Sequence, residues 1–230
     1  MRTVARIYVG TQAGNRQAEI ALEHSLRKHG SMDVEIVWMD RSRGGAWAGW
    51  EMAREPGRPY SGQGWATDFS CFRFGVPEAN GFAGRAIYLD VDMIVLKDIK
   101  DLLEAPLERP IAITPRGYDV ILYDCAAFRA ERWWPPLDQM RASGWNIGEY
   151  HRLLQEHGFL AMSLPPAWNC CDGIGFDPGE TALVHFTNLY TQPWQPYSGL
   201  IQHREHPRPD MAELWWRTYR EAVGIGPLSH

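Results

Sequence analysis

Eight residues, Ile87-Tyr88-Leu89-Asp90-Val91-Asp92-Met93-Ile94, constrain this chain more than any other stretch. Arg85 to Leu89 is short and apolar and is approached by Gly81 and Gly84, the pattern of a buried strand. It runs directly into two carboxylates separated by one residue. In an extended chain residues i and i+2 point to the same side, so Asp90 and Asp92 can close on one cation. The edge where a strand leaves an α/β sheet is also where such folds bind ligands.

The segments on either side fit such a sheet. Val4 to Val9 reads as a first strand that ends at Gly10-Thr11-Gln12, followed by a loop holding Gly14 and Asn15. From Arg16 the spacing turns helical. Ala18, Ala21, Leu22, Ser25, Leu26 and His29 share one stripe, and Gly30 stops it. Val34 to Trp38 is a second apolar run. Strand, loop, helix, strand is the opening of an α/β sheet with right-handed crossovers. The first loop should lie at the carboxyl edge beside Asp90. It lacks G-x-G-x-x-G, so a dinucleotide-binding domain is unsupported.

The stretch from Arg41 to Trp65 is of another kind, with six glycines, three tryptophans and no period. Loops this long in a compact domain are functional or disordered, and the aromatic content argues against disorder. Two readings stand: a flap over a ligand, or an excursion packed by its own tryptophans. Beyond it, Asp68 to Phe74 reads as a helix that would bring Arg73 beneath the Asp90 edge. Met93 to Leu96 finishes the apolar run, and further strands are expected at Ile111 to Thr114, Val120 to Tyr123 and Leu160 to Leu164. A short amphipathic turn or helix is expected over Lys97 to Leu103 and a helix over Trp145 to His157. In the tail, Met211, Leu214, Trp215, Thr218, Tyr219 and Ala222 share a helical stripe behind a capping arrangement of Pro209, Asp210 and Glu213.

Composition excludes several classes. A length of 230 residues with 45% apolar content describes a globule with a substantial core. A net charge of −5 argues against nucleic acid as a partner. No apolar run is long enough to span a bilayer and no signal-peptide pattern precedes the first strand, so a cytoplasmic protein is expected. Membrane contact is expected at most peripherally, through the tail helix. The four cysteines match neither a disulfide framework nor paired zinc spacing, and adjacent Cys170-Cys171 reads as two reduced thiols.

Three separated pieces coincide: the strand opening onto Gly10-Thr11-Gln12, the Tyr88-Leu89-Asp90-Val91-Asp92 block with Arg73 upstream, and a late His185-Phe186-Thr187-Asn188 with Gln192-Pro193-Trp194. Together they resemble glycosyltransferase family 8, retaining enzymes of the GT-A fold related to glycogenin and the lipopolysaccharide glycosyltransferases. The resemblance covers most of residues 4 to 195. It implies an α/β domain with a mostly parallel central sheet flanked by helices. Residues 1–115 would form the nucleotide-sugar and metal half, 116–208 the acceptor half, and 209–224 a C-terminal helix. It also implies a metal site of Asp90, Asp92 and His185 holding Mn²⁺ (or Mg²⁺), and catalytic roles for Arg73, Asp90 and Asp92. Donor contacts are implied for Gly10, Thr11, Gln12, Arg73, Val91 and Gln192, with a UDP-sugar as donor and a carbohydrate, lipid or protein acceptor.

The chain departs from the family pattern in two places. Asn188 stands where the family ending has glycine, and Gln192 replaces its phosphate-binding lysine. Tyr118-Asp119-Val120-Ile121 stands where the family has N-x-G. Two alternatives stay open beside a metal-dependent transfer enzyme. One is a non-catalytic nucleotide-sugar or glycan-binding protein. The other is a nucleotidyltransferase, which shares a sheet with acidic metal ligands.

Overall fold

The computed structural model describes residues 4–50, 67, 69–195 and 202–225. Its six-stranded sheet is built around β3 (Arg85–Asp90), in which every residue after Arg85 is buried. Burial on both faces is what a continuous apolar run demands of a central strand. β3 pairs in parallel with β1 (Val4–Gly10), and β1 with β2 (Asp33–Met39). On its other side β3 meets β6 (Gly117–Asp124) antiparallel, followed by β5 (Ile111–Thr114) and the short β7 (Leu160–Ala161). The order is β2-β1-β3-β6-β5-β7, with three parallel and two antiparallel pairings, so the sheet is mostly parallel as expected.

Immediately after Asp92 the chain leaves this sheet. β4 (Met93–Val95) belongs to a second sheet of order β4-β9-β8, with β8 at Cys170–Cys171 and β9 at Leu183–His185. Asp92 therefore sits in the step between two sheets. That step draws His185 in from far along the chain, because Met93 pairs with His185 in the register.

Helix α1 (Arg16–His29) buries the stripe read from its sequence, apart from His29, which is half-buried at its end. Ser25 Oγ accepts the Val95 amide at 3.0 Å, tying α1 to β4. The short helices α2 (Val76–Ala79) and α3 (Ile99–Leu103) flank β3. α4 (Leu137–Ser143) and α5 (Ile147–Glu156) follow β6. The last helix, α6 (Pro209–Ala222), packs on α1. Its apolar face is spent on the core: Trp215 is fully buried and stacks on Trp194 at 5.1 Å and on Tyr219 at 5.5 Å. Among the described residues no helix is long and apolar enough to cross a membrane.

Several local expectations are corrected. The segment before Pro77 forms a 3₁₀ turn over Phe72–Gly75 rather than a helix from Asp68, which itself lies outside the described residues. The α6 cap does not form, because Asp210 pairs with Arg208 and Glu213 with Arg220. The strand at Leu160 stops after Ala161, although the Leu164 amide still donates to Ile113 O at 3.1 Å. The α5 start is better specified than expected, with Asn146 and Glu149 forming a reciprocal capping box. Trp47 and Trp50 pack as buried side chains against Phe72, at 5.4 and 5.3 Å. These two tryptophans belong to the core; Trp65 and residues 51–66 lie outside the described residues.

Gly10 ends β1 directly beside Asp90 in the register, and its carbonyl accepts the Val91 amide at 3.1 Å. A Cβ there would meet Phe69 at 2.5 Å and crowd the Tyr88 hydroxyl. Gly10→Ala should therefore destabilise the fold by about 1–3 kcal/mol through overpacking. Denaturant midpoints at unchanged slope would check this, and a neutral substitution would show that the Asp90 edge is loosely held.

Candidate active site

The end of β3 places Asp90 where two side chains reach it. Arg73 Nη2 donates to its two oxygens at 3.0 and 3.2 Å, and the Tyr88 hydroxyl donates to Oδ1 at 2.5 Å. Arg73 is itself fixed. Its Nε donates to Ser70 O at 2.7 Å, its own carbonyl accepts the Tyr123 hydroxyl, and its guanidinium lies 4.9 Å from the Tyr88 ring centre. Its Nη1 turns to a third carboxylate, Asp119 of β6, at 3.4 Å.

Asp92 is held from the late segment of the chain. The Gln192 amide donates to its Oδ2 at 2.8 Å and to Phe186 O at 2.7 Å. Asp92 Oδ1 is buried and faces His185 Nε2 at 3.0 Å, an ion pair with the protonated imidazole and its one contact of this kind among the described residues. On the far side of the imidazole, His185 Nδ1 sits 3.0 Å from Asn169 Oδ1. The Asn169 amide nitrogen donates to Thr114 Oγ1 and Asp119 Oδ2, both at 3.3 Å, so its oxygen must face the ring and Nδ1 carries hydrogen.

This arrangement concentrates charge in a dry place, and the ionisations respond. Burial pushes the Asp90 carboxyl up to about 6 against the pull of Arg73. Burial would lower His185, but Asp92 and Asp119 outweigh it and raise the imidazole well above its ordinary range. Asp119 is held low, since His185 and Arg73 outweigh its own burial. Burial and these same carboxylates pull Arg73 in opposite directions, and the carboxylates raise it.

The ligand atoms of Asp90, Asp92 and His185 lie within 4.8 Å of one another. Two carboxylates and an imidazole, with Asp92 Oδ1 bonded to nothing but the imidazole, make a donor set that fits a divalent cation once Nε2 gives up its proton. Arg73, Asp90, Asp92, Asp119 and His185 all line a cleft of about 480 Å³, whose mouth carries the exposed Ile147 and Tyr190.

The other expected donor residues lie around this cleft rather than on its wall. Thr11 is buried and its hydroxyl donates to Glu19 at 2.9 Å. Gly10 and Val91 form the backbone bridge between β1 and the Asp90 turn. Gln12 is half-buried in the adjoining loop. Gln192 is buried, with its amide committed to Asp92 and Phe186.

Asp119 and Asn169 were not foreseen as site residues. Asp119 carries a legible signal, a lone carboxylate immediately before the apolar run from Val120 to Tyr123. Asn169 carries none, being a single amide between Trp168 and Cys170.

Solved structures share this fold. GlyE, a glycosyltransferase of Streptococcus pneumoniae TIGR4, superposes with a TM-score of 0.61 at 14% identity, over 99% of this chain and 66% of its own. The galactosyltransferase LgtC, solved with donor and acceptor sugar analogs, gives 0.61 at 12% identity over 98% of each chain. The bifunctional glycosyltransferase WbbM gives 0.59 at 13% identity, with this chain spanning 47% of it. Among curated proteins, Protein CDI of Arabidopsis thaliana is 34% identical over 103 residues, or 43% of this chain and 36% of the relative. The chain thus spans about a third of that relative and less than two thirds of GlyE and WbbM. No family model matches. At these identities the structural likeness is one of fold, and the fold is that of the GT-A glycosyltransferases, as the sequence resemblance implied.

Removing the one guanidinium should expose what it offsets. Arg73→Met leaves Asp90 and Asp119 buried without their cation, at a cost of about 3–5 kcal/mol at neutral pH. Without Arg73 the Asp90 carboxyl rises further, so the folded state takes up a proton that the unfolded chain does not. The deficit should therefore shrink as pH falls toward about 6, where only the variant takes up this proton, and level off below it, where Asp90 of the wild type is protonated as well. Denaturant midpoints across this range test it; a deficit independent of pH would mean that packing, not charge, is what Arg73 supplies.

Proposed function

We propose that this chain transfers a hexose from a nucleoside-diphosphate sugar, UDP-linked, to an acceptor hydroxyl with retention of configuration. The observation that carries the reading is the meeting of Asp90, Asp92 and His185 with Arg73 on the wall of one cleft, within a glycosyltransferase fold. LgtC, whose fold it shares end to end, was solved with donor and acceptor sugar analogs, which supports the substrate class.

Asp90, Asp92 and His185 would hold Mn²⁺ (or Mg²⁺), and the bound ion would supply charge neutralisation for a departing diphosphate. The rest falls to the protein. Arg73 presents a fixed cation to the same wall, so developing negative charge meets a preorganised group. Gln192 orients Asp92 by taking up Oδ2 and leaving Oδ1 turned toward His185. Thr11 and the Gly10–Val91 backbone bridge fix the loop on which Gln12 would meet the base and ribose. The acceptor would enter from the 116–208 half, past Ile147 and Tyr190, and attack on the face the diphosphate leaves, through an oxocarbenium-like state.

One departure supports a second reading. The Gln192 amide is spent within the protein, so the phosphate-binding cation the resemblance calls for is missing at this position. A protein that binds a nucleotide sugar without turning it over would tolerate that loss.

Calorimetry of UDP with Mn²⁺ and then with chelator tests the shared premise. UDP affinity should fall at least about tenfold on chelation, and Asp92→Asn should abolish the metal effect. The proton that His185 holds at Nε2 must leave for a metal to bind, so Mn²⁺ affinity should weaken as pH falls. Equal UDP affinity with and without metal would overturn the reading. Tight binding without hydrolysis or transfer of any UDP-sugar would favour the binding protein.

A further inference from the structure

The far side of His185 carries a second set of donors that the proposed reaction does not use. β8 and β9 run parallel with Cys171 beside His185 in the register. Cys171 Sγ lies 3.4 Å from Asn169 Oδ1, and that oxygen lies 3.0 Å from His185 Nδ1. Asp119 Oδ2 is 3.7 Å from the same Nδ1, and the ligand atoms of Asp119, Cys171 and His185 all fall within 4.8 Å of one another. A tetrahedral zinc site with bonds of about 2.0–2.3 Å needs ligand–ligand edges of roughly 3.3–3.7 Å. The Sγ–Oδ1 and Nδ1–Oδ2 separations of 3.4 and 3.7 Å fall in that range and the Oδ1–Nδ1 separation of 3.0 Å lies just below it, so a thiol, an imidazole nitrogen, a carboxylate and an amide oxygen are close enough to converge on one ion after small side-chain shifts. The thiol makes this set softer than the two carboxylates and imidazole on the other side, and soft donors select thiophilic ions.

We propose that Asp119, Asn169, Cys171 and His185 Nδ1 form a second metal site, for a thiophilic divalent cation such as Zn²⁺, whose occupation excludes a cation from Asp90, Asp92 and His185 Nε2. The exclusion follows from the ring. A neutral imidazole has one lone pair, so a metal on Nδ1 obliges Nε2 to carry the proton, facing Asp92. On binding, the Cys171 thiol proton and the Nδ1 proton pass to solvent as the sulfur–metal and nitrogen–metal bonds form. The ion enters through the cleft, whose wall already includes Asp119 and His185. The site itself stands on geometry alone; the exclusion rests on the metal assignment of the proposed function.

Cobalt(II) is the probe for the thiolate. Titrated into the metal-free, fully reduced protein, it should give a thiolate-to-cobalt charge-transfer band saturating at one equivalent. Cys171→Ser should lose the band and weaken Zn²⁺ binding more than about tenfold, beyond the lower bound for losing even an outer-shell partner. Cys170→Ser should keep both. On the wild-type protein, ¹⁵N imidazole spectra with Zn²⁺ should show His185 metal-bound at Nδ1 and protonated at Nε2. One equivalent of Zn²⁺ should release bound Mn²⁺, read by its paramagnetic resonance, from wild type and not from Cys171→Ser. Absence of the band, its loss in Cys170→Ser instead, zinc on Nε2, or Mn²⁺ retained beside zinc would each overturn the proposal. A protein that takes cobalt through Cys171 with zinc on Nδ1, but never binds Mn²⁺, refutes the proposed function and leaves the second site standing.

Discussion

Three carboxylates meet at one sheet edge, and offsetting their repulsion is the condition on which the rest of this site depends. Asp90, Asp92 and Asp119 are all largely withdrawn from water. Against their three formal charges the protein sets one guanidinium, Arg73, and one imidazole, His185. With the imidazole protonated, a single negative charge remains uncompensated in low-dielectric surroundings. An isolated buried charge is expensive, and groups in this position shift their ionisation or recruit a cation. The raised Asp90 and His185 are the first response, and the pair of Asp92 Oδ1 with His185 Nε2 is where the second would act, a cation taking the place of the proton. A structure built only for stability would have replaced such a cluster with apolar side chains.

The framework that holds this charge was largely legible in the sequence, for reasons that can be named. β1, β2, β3 and α1 carry strong period or continuous apolar runs, and local pattern dictates them. The adjacency of Gly10 to Asp90 follows from parallel order alone. What was not legible depended on competition between local preferences. The segment near Arg73 forms a 3₁₀ turn over Phe72–Gly75 that passes directly into α2, where Pro77 sits in the first turn and has no amide to extend α-helical bonding back toward Arg73. The α6 cap failed because Asp210 and Glu213 both found arginines.

The site itself divides in the same way. Asp90 and Asp92 announce themselves by their place after a buried strand, and His185 and Arg73 by resemblance. Asp119 comes into reach only because β6 runs antiparallel beside β3, a pairing that no local pattern specifies. Asn169 is reached only through the second sheet. Long-range register, not residue type, decided which polar side chains would meet.

Gln192 shows how a departure from a family pattern can be read physically. A lysine at this position would bring a charge to the cleft; a glutamine brings two donors and no charge. The structure spends those donors inward, on Asp92 Oδ2 and on the Phe186 carbonyl, so the late segment is pinned to the end of the Asp90–Asp92 turn. Two residues on, Trp194 donates to Asn15, at the start of α1, and stacks on Trp215 of α6. One short stretch thus joins the Asp92 turn, the first helix and the last helix. Replacing the charge by an amide trades attraction for a phosphate against a fixed orientation of Asp92. Arg73 is then left as the chief cation on the described wall of the cleft, and it is already shared between two carboxylates. A diphosphate bound here would have to draw its compensation from a divalent ion more than from the protein, and on the proposed reading Asp92 Oδ1, now paired with His185, would be the oxygen that meets it.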